Sequence, residues 1–270
     1  MVLDLLDAGV YAWMQLPGGD GRPNAGVVVD ADGITVVDTL AVRSQWEPFG
    51  AAVDALGLPV RRVVLTSSHV EYAGGTTRFR LAAVFGRAQA SAHLDQPPDP
   101  GVIRALLPEV AAEVDDEFVT RAVSHVVDAP VQLTPACAAM PCGGEEAENL
   151  VVVVPGAQLV FAGAMCSFGV TPFAYQGDPA AWAEALDDIV ELAPIVVPGH
   201  GPIGGEEEVR ALQGYLRACV FANGDPSRVP AGPWDGWPGR QHDVVNVERA
   251  AMLARGDDAI PPSLLARLGL

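Results

Sequence analysis

Not one lysine occurs in the 270 residues, so all 16 basic side chains are arginine, set against 34 acids for a formal charge of −18. That balance repels a phosphate backbone over most of the surface, and no basic stripe interrupts it, so nucleic acid is not an expected partner. The missing lysine itself reads as a mark of genomic composition rather than of mechanism. Long apolar runs are missing too: half of the residues are hydrophobic, yet no uninterrupted stretch reaches the ~18 residues that suggest a membrane span. Residues 1–7 hold no basic segment and carry Asp4 and Asp7 where a signal peptide needs apolar side chains, which makes the cytoplasm the expected location. Cysteine is scarce, and Cys137, Cys142, Cys166 and Cys219 form no CxxC pair, so each is expected as a buried free thiol. No repeat or low-complexity tract divides the chain, and its length suits one large α/β domain.

The apolar segments that are present alternate between strand and helix spacing. Strands are expected at 10–14, 25–30 and 34–39, a meander around the turns at 17–21 and Asp32-Gly33. Residues 44–56 have helical spacing, with Trp46, Phe49, Val53 and Leu56 on one side, and lead by Gly57 and Pro59 into a strand at 63–65. A polar turn follows, and Gly74-Gly75 is expected to open a helix at Thr76. Further on, the pattern predicts a strand at 82–85, a loop marked by Pro97, Pro98 and Pro100, and a helix over 102–114 kinked at Pro108. Residues 135–144 are a loop by composition; strands at 150–154 and 159–162 flank Pro155-Gly156, and a helix over 178–192 enters the apolar run at 195–197.

Chemistry-bearing residues gather in three places: Thr66-Ser67-Ser68-His69-Val70-Glu71-Tyr72-Ala73-Gly74-Gly75, Gly144-Glu145-Glu146, and Pro198-Gly199-His200-Gly201-Pro202. The first segment resembles the signature of the metallo-β-lactamase superfamily, Thr-His-x-His-x-Asp-His-x-Gly-Gly, with Thr66, His69, Gly74 and Gly75 matching. Asn24-Ala25-Gly26 and Val36-Val37-Asp38-Thr39 are similar to the family's opening strands, and residues 198–202 to its late histidine loop. The resemblance spans about residues 8–215 and continues more weakly beyond. It implies a four-layer αββα sandwich with the site at the shared loop edge, a domain over 1–215 and a C-terminal helical extension over 216–270 packed on it.

The same resemblance implies a reduced metal site. Ser67, Glu71 and Tyr72 stand where the family has His, Asp and His; Glu145, or Glu146 on a one-residue shift, stands at the next histidine. Ala164 in Phe161-Ala162-Gly163-Ala164 replaces the bridging aspartate, and a methyl group cannot join two cations. At most one divalent metal, zinc, iron or manganese, is expected, held by His69, His200, Glu145 and Glu71, with Cys166 as an alternative ligand and Cys142 a weaker one. Without metal, Ser67, Glu71 and Tyr72 beside His69 and His200 supply groups for acid–base work. His93, His125 and His242 have no ligand-like spacing and are expected to be surface or structural.

The expected function is a divergent enzyme acting on a small molecule, nominally hydrolysing an ester, thioester, lactone or similar bond, and possible as a homodimer. A non-catalytic ligand-binding protein and a mononuclear non-haem iron oxygenase or lyase remain the alternatives.

Overall fold

Valine-rich segments build two sheets, since β-branched side chains pack well on a pleated, half-buried surface. The computed structural model describes residues 2–96, 99–115 and 118–269. Met1, Pro97, Pro98 and Leu270, on which some expectations fall, lie outside these.

The first sheet has seven strands in sequence order. Leu3–Asp7 (β1), Val10–Trp13 (β2), Ala25–Asp30 (β3) and Gly33–Val37 (β4) form an antiparallel meander. After the helix Arg43–Asp54 (α1), Val60–Val64 (β5) adds parallel to β4. The short helix Val70–Ala73 (α2) precedes Ala83–Gly86 (β6); helices Ala88–Asp95 (α3) and Pro100–Leu106 (α4) then precede His125–Val126 (β7), both strands continuing in parallel.

The second sheet is built from Val131–Gln132 (β8), Ala138–Cys142 (β9), Asn149–Val154 (β10), Leu159–Ser167 (β11) and, across the helix Pro179–Leu192 (α5), Ile195–His200 (β12). Its order is β12-β11-β10-β9-β8. Helices Glu206–Ala222 (α6), Asp243–Leu253 (α7) and Pro262–Leu268 (α8) complete the chain. Among the described residues no helix is long and apolar enough to cross a membrane.

Period-two alternation distributes the strands' side chains over three cores. Val28, Val37, Val64, Leu150, Val152 and Phe161 meet between the sheets. Val27, Val36 and Val63 face outward onto Phe49 and Val53 of α1, and Val151, Val153 and Val160 face Trp182 and Leu186 of α5 and Leu212 and Leu216 of α6. Helix, sheet, sheet and helix therefore stack in four layers, the αββα sandwich expected. The sheets approach closely at Gly26, where a methyl group would lie 2.5 Å from the Phe161 ring. Helix α5 starts where Asp178 accepts from the Ala180 N–H at 2.9 Å with Pro179 in the first turn, a cap worth about 1 kcal/mol. Trp182, fully buried, donates Nε1–H to the Met165 carbonyl at 3.0 Å and so fixes α5 to β11.

Three local expectations give way. The helix placed after Gly74-Gly75 begins earlier, at Val70, and the two glycines enter a 3-10 turn, Gly74–Arg78. Their role is close approach: a Cβ on either would run into the backbone carbonyls of Ala41 and Thr39. The helix expected to bend at Pro108 stops at Leu106, because Pro108 has no N–H to continue the ladder. Residues 138–142, expected in a loop, are β9; Pro141 is tolerated there because β8 pairs only with Ala138 and Ala139, leaving the outer edge of Pro141 unpaired.

Candidate active site

The site is assembled at one end of the sandwich by backbone held with side-chain hydrogen bonds. Beyond β5, Thr66 is fastened by Asp38, whose carboxylate oxygens accept from the Thr66 N–H and hydroxyl at 2.8 Å each. The Thr66 carbonyl in turn accepts from the Leu150 N–H at 3.0 Å and Asn149 Nδ2 at 3.2 Å. The tip of β5 and the approach to β10 are thereby locked together, which brings Glu145 and Glu146 to His69 across 76 and 77 residues of chain.

His69 is gripped on both ring edges. Nδ1 lies 2.8 Å from Glu145 Oε1, and Nε2 lies 3.0 Å from Glu146 Oε1 and 2.9 Å from Gln176 Oε1. Tyr175 stacks on its face with centroids 5.1 Å apart and planes within 13°. Burial opposes charge on this ring, but the two glutamates outweigh it and push its pKa up to about 10. Burial pushes the Glu146 carboxyl up, against the pull of His69. Asn149 Nδ2 donates to Glu145 Oε2 at 3.0 Å, and Glu146 accepts from the Ser68 N–H at 3.1 Å and hydroxyl at 2.5 Å. The Ser68 hydroxyl also lies 2.7 Å from His93 Nδ1.

His200 forms a second, separate pair. Its Nε2 is 3.5 Å from Glu71 Oε1, while Glu71 Oε2 accepts from the Gly21 N–H at 2.8 Å. Burial depresses the charged ring, yet Glu71, with help from Asp20 and the Arg22 backbone, raises its pKa overall; Nδ1 is buried without a well-formed hydrogen bond. Tyr72 presents its ring to His200 at 5.9 Å, and burial with neighbouring carboxylates raises its phenol well above the ordinary value, so it stays neutral. The His200 loop is held by Asn24, whose side chain donates to the carbonyls of Pro198 and Gly201 at 3.0 and 2.9 Å.

His69, Glu71, Tyr72, Glu145 and His200 all line one cavity of about 340 Å³. Four ligands expected around one ion are thus divided: His69 with Glu145 on one wall, His200 with Glu71 on another. Both Glu145 and Glu146, alternatives by sequence, reach His69. Ser67 is buried and its hydroxyl accepts from the His69 N–H at 3.1 Å. Cys166 is fully buried in the core between β11 and α5, where burial pushes its thiol far up; Cys142 rises to about 12 for the same reason. His242 is buried and His125 is exposed.

His93, expected to be surface or structural, lines the cavity, as do Tyr175 and Gln176, which sequence reasoning did not single out. The available signal was a pair of aromatics in the loop 171–176 directly after a buried strand.

Among the described residues, His69, Glu145 and Glu146 alone bring three ligand atoms within 4.8 Å of one another. One imidazole and two carboxylates suit a single zinc, iron or manganese ion, and two buried acids beside one ring leave negative charge for it to balance. Neutral Ser67 and Tyr72 and the methyl group of Ala164 offer nothing for a second ion. The metal centre is thus reduced to one cluster.

The metallo-beta-lactamase superfamily model matches residues 18–261. Solved structures similar to this chain include VMB-1, with 16% identity, a TM-score of 0.64 and coverage of 81% of this chain and 97% of that one. FIM-1 from Pseudomonas aeruginosa in its mono-zinc form is 18% identical, with a TM-score of 0.62 over 85% and 96% of the two chains. A metallo beta lactamase from Hirschia baltica is 19% identical, with a TM-score of 0.59 over 79% and 96%. At these identities the likeness establishes the fold.

Proposed function

Because the chain belongs to the metallo-beta-lactamase superfamily, we propose that it hydrolyses a small carbonyl compound, an ester, thioester, lactone or similar, in the cleft between the His69 cluster and the Glu71–His200 pair. The observation that carries this reading is the convergence of both groups on one cavity of about 340 Å³, a volume suited to a small molecule rather than a polymer.

His69, Glu145 and Glu146 are the residues that would hold the ion, which when bound supplies Lewis-acid polarisation of the scissile carbonyl. Glu71 has one oxygen anchored by the Gly21 N–H and the other turned to His200. That second oxygen is suited to take the proton of an attacking water. His200, favoured in its charged form by Glu71, is suited to give a proton to the leaving group. Tyr72, kept neutral, acts as a hydrogen-bond donor and not as a base. Ser67, occupied by the His69 backbone, serves to orient the loop.

The test is a panel of ester, thioester and lactone substrates with metal-supplemented, tag-free protein and with Glu71→Gln and His200→Ala. Each variant is expected to lose about 10²-fold or more in kcat. Full activity in both would overturn the assignment. A second reading, a ligand-binding protein without metal, draws support from the ring of His69, whose nitrogens are already satisfied by carboxylates. Elemental analysis separates the two: the hydrolase requires about one ion per chain, the binding protein none.

A further inference from the structure

The cleft has two chemically different ends. Its floor carries the His69 and His200 groups. Facing them, Ile103, Leu106 and Leu107 in and after α4 meet Ile260, Leu264 and Leu268 in and before α8. This roof is held down by a second cluster. Asp20 lies 2.9 Å from His242 Nε2 and accepts from Arg267 at 3.3 Å, while Arg267 also donates to the Leu106 carbonyl at 3.2 Å and covers the Phe173 ring at 4.9 Å. Phe173 stacks on His242 at 4.3 Å and meets Tyr175 at 4.7 Å, so an aromatic row leads from α8 to His69.

No arginine is among the described residues that line the cavity, and the chain has no lysine. Arg267, the cation nearest in role, is occupied by Asp20 and the Leu106 carbonyl. A carboxylate or phosphate seated under the roof would lose its water against leucine and isoleucine with no arginine or lysine beside it to replace that water.

We propose that the compartment under α4 and α8 binds the apolar tail of a neutral substrate: an acyl chain or uncharged ring attached to the reacting carbonyl, with no anionic group at its far end. The proposal rests on the cleft being the substrate site, but its test reads binding without turnover. Calorimetric titration would compare butanamide, hexanamide and octanamide with the monoamide of octanedioic acid, which is octanamide's analogue carrying a carboxylate at the tail. Affinity is expected to rise about threefold to fourfold per methylene, and the tail carboxylate to weaken binding by about tenfold or more.

Leu264→Ala should weaken octanamide while sparing butanamide. Leu268→Arg, at a half-buried position more tolerant of change, should narrow or reverse the gap between octanamide and the monoamide. Affinity independent of chain length overturns the proposal. So does equal binding of the monoamide to the unaltered protein, or a gap untouched by Leu268→Arg. The two readings fail differently: chain-length-dependent binding with no hydrolysis of any substrate removes the proposed function alone, and hydrolysis with no chain-length dependence in binding removes this inference alone.

Discussion

His69 is contested between a proton and a metal. Held between Glu145 and Glu146 with its pKa raised to about 10, it is an imidazolium at neutral pH in the metal-free protein, so a divalent ion must displace a proton to bind. Metal affinity is therefore expected to rise by about tenfold per pH unit until that pKa is passed. Calorimetry in two buffers of different ionisation enthalpy at pH 7 should record about one proton released per ion; no proton released would mean that His69 is not a ligand. Glu145 and Glu146 contribute unequally. Glu146 is tied to the Ser68 backbone and hydroxyl and has no exposed surface, whereas Glu145 is restrained chiefly by Asn149. Glu145→Ala should weaken metal binding and activity together, with excess metal restoring both in part. An enzyme working without metal, by the acid–base groups of the cleft, would instead show only a shifted pH dependence of activity.

At the scale of elements, the loop after β12 determines where His200 stands. Gly201 has φ of +85°, and a Cβ there would overlap the Phe168 carbonyl, so Gly201→Ala combines backbone strain with a backbone clash. It is expected to cost more than about 1 kcal/mol and to reduce activity by displacing His200. Gly156→Ala is the matched control: nothing lies within 4 Å of its Cβ position, and stability should change by less than about 1 kcal/mol. Thermal melts with kinetics on the same samples compare the two; equal effects would show that the loop's conformation is not demanding. Asn24 acts over a longer span, joining the start of β3 to the Pro198 and Gly201 carbonyls. Its value lies in tying two sheets together beside the site.

The whole molecule carries a formal charge of −18, and self-repulsion destabilises a compact state so far from neutrality. Added salt should raise its melting temperature by screening that repulsion. Two buried groups set a pH dependence of one sign. Asp38 is raised to about 7, mainly by burial, so the folded state holds its proton more tightly than the unfolded chain. The stability this contributes is present below about pH 4 and is lost as pH rises through 7. His69 behaves likewise between its unfolded value near 6.5 and about 10. Metal-free protein should therefore melt at progressively lower temperature from neutral to alkaline pH, and His69→Ala should flatten that slope. A melting temperature that climbs over the same range would contradict the His69 assignment.

The strands and helices were legible in the order of residues, and the four-layer architecture and the reduced metal centre through the resemblance that the motifs at 66–75 and 198–202 carry. The unbroken apolar run at 150–154 marks a strand covered on both faces, and Ala164 in place of a carboxylate removes a ligand wherever the loop goes. The extent of helices near Gly74 and Pro108 was less legible, since close backbone approach and a missing N–H act only once neighbours are packed. The pairing within the site was decided by tertiary structure alone. Nothing in the spacing of His69, Glu71, Glu145 and His200 says that Glu71 turns to His200, while Glu145 and Glu146 close on His69. That partition depends on the Asp38–Thr66–Asn149 bonds that set two distant loops side by side. The apolar roof is a product of the same kind: 155 residues lie between the end of α4 and the start of α8, and Arg267, held by Asp20, joins them only in the folded chain.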